Sequence, residues 1–157
     1  MSRVTRATKA LQQAGVAFTV HAYDYDPDAE HIGMQAAEAL GEQPARVLKT
    51  LMALVDNKPV CIIVPSDREV SMKKLAAAFG GKSAQMMKPA DAERLSGYKV
   101  GGISPFGQMR RSRAAIEKEA MAQDLVYING GQRGLQLRLN PHDAAKVLEA
   151  VVAPVVV

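Results

Sequence analysis

The stretch ARVLKTLMALVDNKPVCIIVP, residues 45–65, constrains the fold more than any other part of the chain. Two apolar runs flank the turn-forming tripeptide Asp56, Asn57 and Lys58, and the second run, VCIIV, is rich in β-branched residues that suit strands. The first run carries one charge, Lys49. Wound as a helix, it would turn Lys49 away from Val47, Leu48, Leu51, Met52 and Val55 into solvent. Extended, it sets Lys49 on one face with Val47, Leu51, Ala53 and Val55. The turn and the β-branched run favour the extended arrangement, a hairpin of 47–55 against 59–64. A lysine on an apolar face needs something to compensate it, which makes Lys49 a candidate functional group.

Around this hairpin the pattern alternates between helix and strand. Residues 5–14 carry Ala7, Ala10, Leu11 and Ala14 at helical spacing before Gly15. A short strand, AFTVHAY, follows, then a helix in GMQAAEALG closed by Gly41. SMKKLAAAFGG predicts a helix capped by Ser71 and stopped at Gly80, and KPADAERLSG a shorter one with Pro89 in its first turn and Gly97 at its end. SRAAIEKEAMAQ reads as another helix. LVYINGGQRGLQLRL is a second hairpin, 125–129 with 135–139, whose alternation in LQLRL predicts one exposed face. NPHDAAKVLEAVV closes the chain as a helix with Asn140 as N-cap, Pro141 at its first position and Asp143 in its first turn. The sum is a mixed α+β fold of the α/β type, one domain over residues 1–157, with an antiparallel or mixed sheet and about five helices.

Composition removes several function classes. With no Trp and 4% aromatic residues, the chain has no stacking platform for reading unpaired bases, while a net charge of +4 leaves an anionic partner open. The one cysteine, Cys61, lies within VCIIV, which makes it a small core residue rather than part of a disulfide framework. The N-terminus lacks a signal-peptide core and no run reaches the length of a membrane span, so a soluble cytoplasmic protein is expected. His21, His31 and His142 lack metal-ligand spacing, and no nucleophile elbow, Walker loop or GxGxxG motif is present, so neither metal nor cofactor is expected. Two glycine-rich loops remain. GYKVGGISPFG offers consecutive backbone amides at Gly101 and Gly102 that can cradle an anion or a developing oxyanion, or simply connect two elements. NGGQRG is most simply a hairpin turn. Lys73, Lys74, Lys88, Lys99, Arg110, Arg111 and Arg113 flank the first loop, either as a solvated face or as a surface for a phosphate backbone.

Taken together, HAYDYDP, RVLKTLMA, MKKLA, GYKVGGISPFGQ, YINGGQRGL and DAAKVLEA, in this order and over nearly the whole length, resemble the bacterial YbaK-type Cys-tRNA(Pro) deacylases, relatives of the editing domain of prolyl-tRNA synthetases. The resemblance implies a barrel-like mixed sheet surrounded by helices. It implies removal of cysteine mischarged onto proline tRNA without metal or cofactor, in transient association with prolyl-tRNA synthetase and with no membrane partner. By position it makes Lys49 the essential lysine and Gly101 and Gly102, within Gly-Gly-Ile103-Ser104-Pro105, the substrate-holding loop. It makes Tyr23 the pocket tyrosine and Asp143 an aspartate near the active-site wall. The chain departs from the family pattern at Tyr25, Ile32 and Asn129, where His, Phe and Ser are usual, and Ile32 and Asn129 bear on the pocket's size and polarity.

The resemblance further implies that the substrate supplies the nucleophile, its cysteine thiol closing a thiolactone. A mechanism that demands a thiol filters by reactivity, whereas sorting by one methylene gains only ~1–3 kcal/mol. Alternative readings are a deacylase for alanine or another small amino acid on proline tRNA, and a non-catalytic module that binds tRNA or synthetase.

Overall fold

The computed structural model describes residues 3–29 and 34–157. Five α-helices and eight strands follow one another as α1 (Arg6–Gln13), β1 (Thr19–Ala22), α2 (Gln35–Leu40), β2 (Leu48–Val55), β3 (Lys58–Pro65), α3 (Met72–Ala78), β4 (Ala84–Met86), α4 (Pro89–Ser96), β5 (Arg113–Glu117), β6 (Val126–Asn129), β7 (Leu135–Leu139), α5 (Pro141–Leu148) and β8 (Val151–Ala153). None of the described helices is long and apolar enough to cross a membrane.

The hairpin of β2 and β3 forms as its sequence predicts, Lys49 pairing with Val64 and Val55 with Lys58. Its loop is two residues, Asp56 and Asn57, both at positive φ, 48° and 66°. That left-handed pair is the geometry matching the twist of a two-residue hairpin, and Asp and Asn tolerate it better than most residues. The Asp56 carboxylate then accepts the Lys82 and Ser83 amides, each at 3.0 Å, and so fixes the entry into β4.

The hairpin is the centre of a five-stranded sheet, ordered β4-β2-β3-β5-β8, and a second sheet is ordered β1-β7-β6. The three-stranded sheet is antiparallel, whereas β5 runs parallel to both β3 and β8. One parallel bridge, Val47 to Tyr127, joins the two sheets. Leu48, Met52, Cys61 and Ile63 on one sheet and Val126, Ile128, Leu137 and Leu139 on the other share the larger core, with Leu11 of α1 and Phe106. This gives the expected barrel-like enclosure, although the hydrogen-bonded ladder does not close among the described residues. The opposite face of the large sheet, with Ala53, Val55, Ile62 and Val64, packs under Leu75 and Ala76 of α3.

Three expectations are corrected. SRAAIEKEAMAQ is not a helix: residues 113–117 form β5, and Lys118–Ala122 make a tight 3-10 turn. Its alanines favour helix locally, but a strand hydrogen-bonded on both edges inside the sheet satisfies its backbone fully and buries Ala114, Ala115 and Ile116. Likewise α5 ends at Leu148, with Glu149 left-handed at φ 50°, so that Val151–Ala153 add β8 to the parallel edge. The LQLRL strand also fails to leave a fully exposed face, because Gln136 is 4% exposed beneath other elements.

Glu117 anchors this arrangement. It is 3% exposed, and its carboxylate accepts the amides of Val155 at 2.9 Å, Val156 at 3.2 Å and Glu119 at 2.7 Å. Glu117→Ala leaves three amides without that acceptor, two of them buried, and should lower the unfolding free energy by about 2–3 kcal/mol in urea titration. Glu117→Gln, which keeps one acceptor oxygen, should lose less.

Candidate functional site

The third strand-pair edge of β2 decides where a ligand can enter. On one side β2 pairs with β3 along its whole length, but on the other β4 covers only Ala53, Leu54 and Val55. The edge at 48–51 has no strand bonded to it among the described residues, and a cavity of about 330 Å³ opens there. Because the edge is open, side chains from both faces of β2 reach the cavity, Lys49 and Leu51 from one and Thr50 and Met52 from the other.

The remaining walls come from four directions. Met86, Met87, Pro89 and Ala92, from β4 and α4, form an apolar side, and the polar side is Tyr23, Asn129 and Gln136 on one face of the three-stranded sheet. Asn129 and Gln136 are directly paired in the β6–β7 register. Tyr25, Val100, Gly101 and Ile103 border the cavity as well. No Asp, Glu, His or Cys is among its described lining residues.

Lys49 is half-buried. Burial pushes its ammonium below the ordinary lysine value of 10.5, while the negative charges of Glu69 and Asp67 act the other way. Tyr23 is held by its amide, which donates to the Gly134 carbonyl at 2.9 Å. Burial raises its phenol above 10.0, opposed by a hydrogen bond with Gln136. Two buried wall atoms, Thr50 Oγ1 and Gln136 Oε1, have no hydrogen-bond partner. Such groups cost about 1–3 kcal/mol when left unpaired, and both atoms are themselves closed to solvent behind the cavity wall.

The two glycine loops lie back to back. Gly102 is buried, and a β-carbon there would stand 2.7 Å from the Arg133 nitrogen and 2.9 Å from the Gln132 carbonyl carbon. Its amide donates to the Lys99 carbonyl at 2.8 Å, so the pair of free amides expected at Gly101 and Gly102 is reduced to that of Gly101. Gly101 has φ 89°, and a β-carbon on it would meet the Tyr25 hydroxyl at 2.6 Å. Asn129 ties the loops together, donating to the Gly101 carbonyl at 3.2 Å and accepting the Gly131 amide at 2.7 Å. Arg133 donates to the Val100 carbonyl at 2.9 Å with its guanidinium 5.4 Å from the Tyr25 ring centre, a clasp over the same junction.

Of the residues singled out from the sequence, Tyr23, Lys49, Gly101, Ile103 and Asn129 meet at this cavity. Gly102, Ser104 and Pro105 do not line it. Ser104 is fully buried and accepts the Phe106 amide at 3.2 Å, while Pro105 borders a separate cavity of about 180 Å³ near Cys61. These residues hold the loop's shape. Asp143 sits in the first turn of α5 and is not among the lining residues, and Ile32 lies outside the described residues. Cys61 is core as expected, its thiol pushed up to about 12 by burial. Sequence reasoning missed Thr50, Ser66 and Gln136. Gln136 carried a signal, being the polar residue opposite Asn129 in a predictable hairpin.

The basic cluster does not act as one surface. Lys74 donates to the Val156 carbonyl at 2.9 Å, Arg111 pairs with Glu149 at 3.2 Å, and Arg113 stacks on Phe79 at 4.7 Å. Lys88 and Lys99 are exposed and adjoin the lining residues Met87, Pro89 and Val100.

Residues 26–147 match the aminoacyl-tRNA editing domain family. The chain is 33% identical over 140 residues to a protein of Enterococcus faecalis named as a candidate Cys-tRNA(Pro)/Cys-tRNA(Cys) deacylase, covering 87% of this chain and 84% of that one. Over 113 residues it is 34% identical to a proline–tRNA ligase of Anaeromyxobacter dehalogenans, covering 68% of this chain but 19% of the ligase. Among solved structures, one described as a candidate trans-editing enzyme for prolyl-tRNA synthetase superposes with a TM-score of 0.81 at 20% identity, over 97% of this chain and 95% of that one. A hypothetical protein, APE2540, superposes with a TM-score of 0.84 at 19% identity, over 98% of this chain and all of that one. At such identities the likeness is one of fold.

Because the atoms a Gly102 side chain would strike are backbone, the loops cannot yield by a rotamer change. Gly102→Ala should lower stability by about 1–3 kcal/mol, read as a drop in thermal midpoint.

Proposed function

From the premise that the chain belongs to the aminoacyl-tRNA editing domain family, we propose that it is a deacylase that clears cysteine from mischarged Cys-tRNA(Pro) in trans. The observation that carries this reading is a cavity with one lysine and no carboxylate, imidazole or thiol among its described lining residues. Nothing there equips Thr50 or Ser66 as a nucleophile. The Thr50 hydroxyl is buried with no base bonded to it, and the Ser66 hydroxyl is turned toward the Pro44 carbonyl at 3.4 Å. An attacking group supplied by the substrate removes the difficulty.

In this mechanism the cysteinyl ester lies along the open edge of β2 with the terminal ribose toward Lys49. The thiol sulfur attacks the ester carbonyl carbon of its own residue, forming a C–S bond and closing a four-membered ring. The ester C–O bond breaks, the ribose oxygen takes the proton lost by the thiol, and the products are free tRNA and a β-thiolactone that water later opens. The Gly101 amide and the Lys49 ammonium are the donors within reach of the developing negative charge, and one well-placed donor is worth about 3 kcal/mol of barrier. Transient association with prolyl-tRNA synthetase would supply the charged tRNA.

Cys-, Ala- and Ser-charged proline tRNA, incubated separately with the protein, test the reading through loss of the ester. Loss from the cysteinyl substrate alone is expected. Equal loss from alanyl-tRNA would remove the thiol requirement, and loss from none would sink the enzyme reading.

Lys49→Met should abolish deacylation while the thermal midpoint at pH 7 stays at or above that of the wild type. The sign follows from the lowered pKa. Between the folded and unfolded values the unfolded chain binds the extra proton, so wild-type stability rises with pH there. The variant's advantage should be full below that window and shrink as pH approaches 10.5, as unfolding measured along a pH series will show.

A further inference from the structure

A second cavity, of about 310 Å³, lies beside the first and is lined by Glu42, Arg46, Gln123, Asp124, Tyr127 and Arg138, with Ala122 and Leu125. The two share one sheet face. Gln136, on the wall of the first, and Arg138, on the wall of the second, are two residues apart on β7 and point the same way, about 7 Å along the strand. Arg46 likewise directly precedes Val47, which lines the first cavity.

Neither arginine is spent on a carboxylate. The described ion pairs are Arg68–Glu119, Arg94–Asp91 and Arg111–Glu149, so Glu42 and Asp124, although they share the cavity, do not engage Arg46 or Arg138 within pairing distance. Gln123 Oε1 takes the Arg46 Nε–H at 3.1 Å, which fixes the plane of the guanidinium and leaves its two terminal nitrogens for another acceptor. Arg138 lies directly across the ladder from Tyr127, whose ring packs edge-on against His21 at 5.2 Å. Two guanidinium forks in one concavity, that of Arg46 oriented by Gln123, match a phosphate, which accepts bidentate hydrogen bonds from arginine. With two carboxylates nearby, the cavity has little net charge, so it would hold a phosphate by geometry rather than by long-range attraction. That suits a site filled only after a chain end has been captured next door.

We propose that Arg46 and Arg138 form a phosphodiester-binding subsite that grips the nucleic-acid backbone one step back from the residue seated in the first cavity. The proposal rests on the reading of that cavity as the seat of an aminoacylated tRNA end.

The test is the binding of an uncharged RNA hairpin ending in CCA, followed across a salt series for the wild type, Arg46→Gln, Arg138→Gln and the double variant, each checked for an unchanged circular dichroism spectrum. Each substitution should reduce the slope of log K against log salt by about 0.7–0.9, the value of one lost phosphate contact. Slopes equal to that of the wild type would overturn the subsite. So would a pattern in which inorganic phosphate alone senses the substitutions while the RNA does not, since that describes an anion site unrelated to the chain end. A kinetic arm separates this inference from the functional reading. The ratio of KM on Cys-tRNA(Pro) to KM on 3′-O-cysteinyl-adenosine, which has no phosphate, should rise about tenfold in Arg138→Gln. An unchanged ratio overturns the subsite, whereas a wild type inert toward both esters refutes the deacylase reading and leaves the RNA slopes to decide the subsite alone.

Discussion

A strand paired on one side and open on the other is the constraint on which the rest of this structure depends. Open edges invite wrong pairing and are usually short, charged or covered. Here β4 ends the exposure after three residues, α4 and the Val100–Ile103 loop stand over the remainder, and the uncovered length becomes the floor of a cavity. The arrangement gives a ligand backbone hydrogen-bonding groups without any loop having to present them. It also explains how one strand contributes both Lys49 and Thr50 to one cavity, which a strand buried between two neighbours could not do.

How much of this was legible in the sequence follows the range of the interactions. The β2–β3 hairpin, the caps at Ser71 and Asn140, and the glycine stops are decided by residues a few positions apart, and these were readable. Strand β5 was not, because what makes 113–117 extended is parallel pairing with 60–63 and 151–153, partners no local pattern announces. The same holds for the site. Lys49 was conspicuous because it broke an apolar run, and Gly101 because glycine pairs draw attention. Gln136 was disguised as the solvent side of an alternating strand, and only its place opposite Asn129 in the hairpin register hinted otherwise. Asp143 is not among the lining residues, and its place in a helix's first turn gives it a sufficient local role.

Glycine 102 shows how one pattern can arise from two causes. The Gly-Gly pair left two readings open, amides offered to an anion or an ordinary connection, and only the Gly101 amide stays unbonded among the described residues. Gly102 is required because the backbone of the second glycine loop passes where its side chain would be, and its amide is used within the first loop. The close approach still serves the site, for it lets Asn129 bond across both loops and holds Gly101 in its left-handed conformation at the cavity. The Asn129 amide donates with its nitrogen to one loop and accepts with its oxygen from the other, so one side chain closes the junction.

The cost of keeping Lys49 partly out of water bears on what the cavity selects. A space of about 330 Å³ holds alanyl, seryl and cysteinyl groups alike, and an apolar wall separates them by no more than ~1–3 kcal/mol. Selection by fit is therefore weak, and a carboxylate beside the lysine, though it would ease its burial, would also repel a developing oxyanion and offer a general base to any water present. The structure instead leaves Glu69 and Asp67 outside the lining, where their negative charges oppose the downward push of burial on Lys49. On the proposed deacylase reading, a cavity without a carboxylate or imidazole base favours a substrate that brings its own nucleophile, and among these three side chains the thiol is the one that ionises near neutral pH.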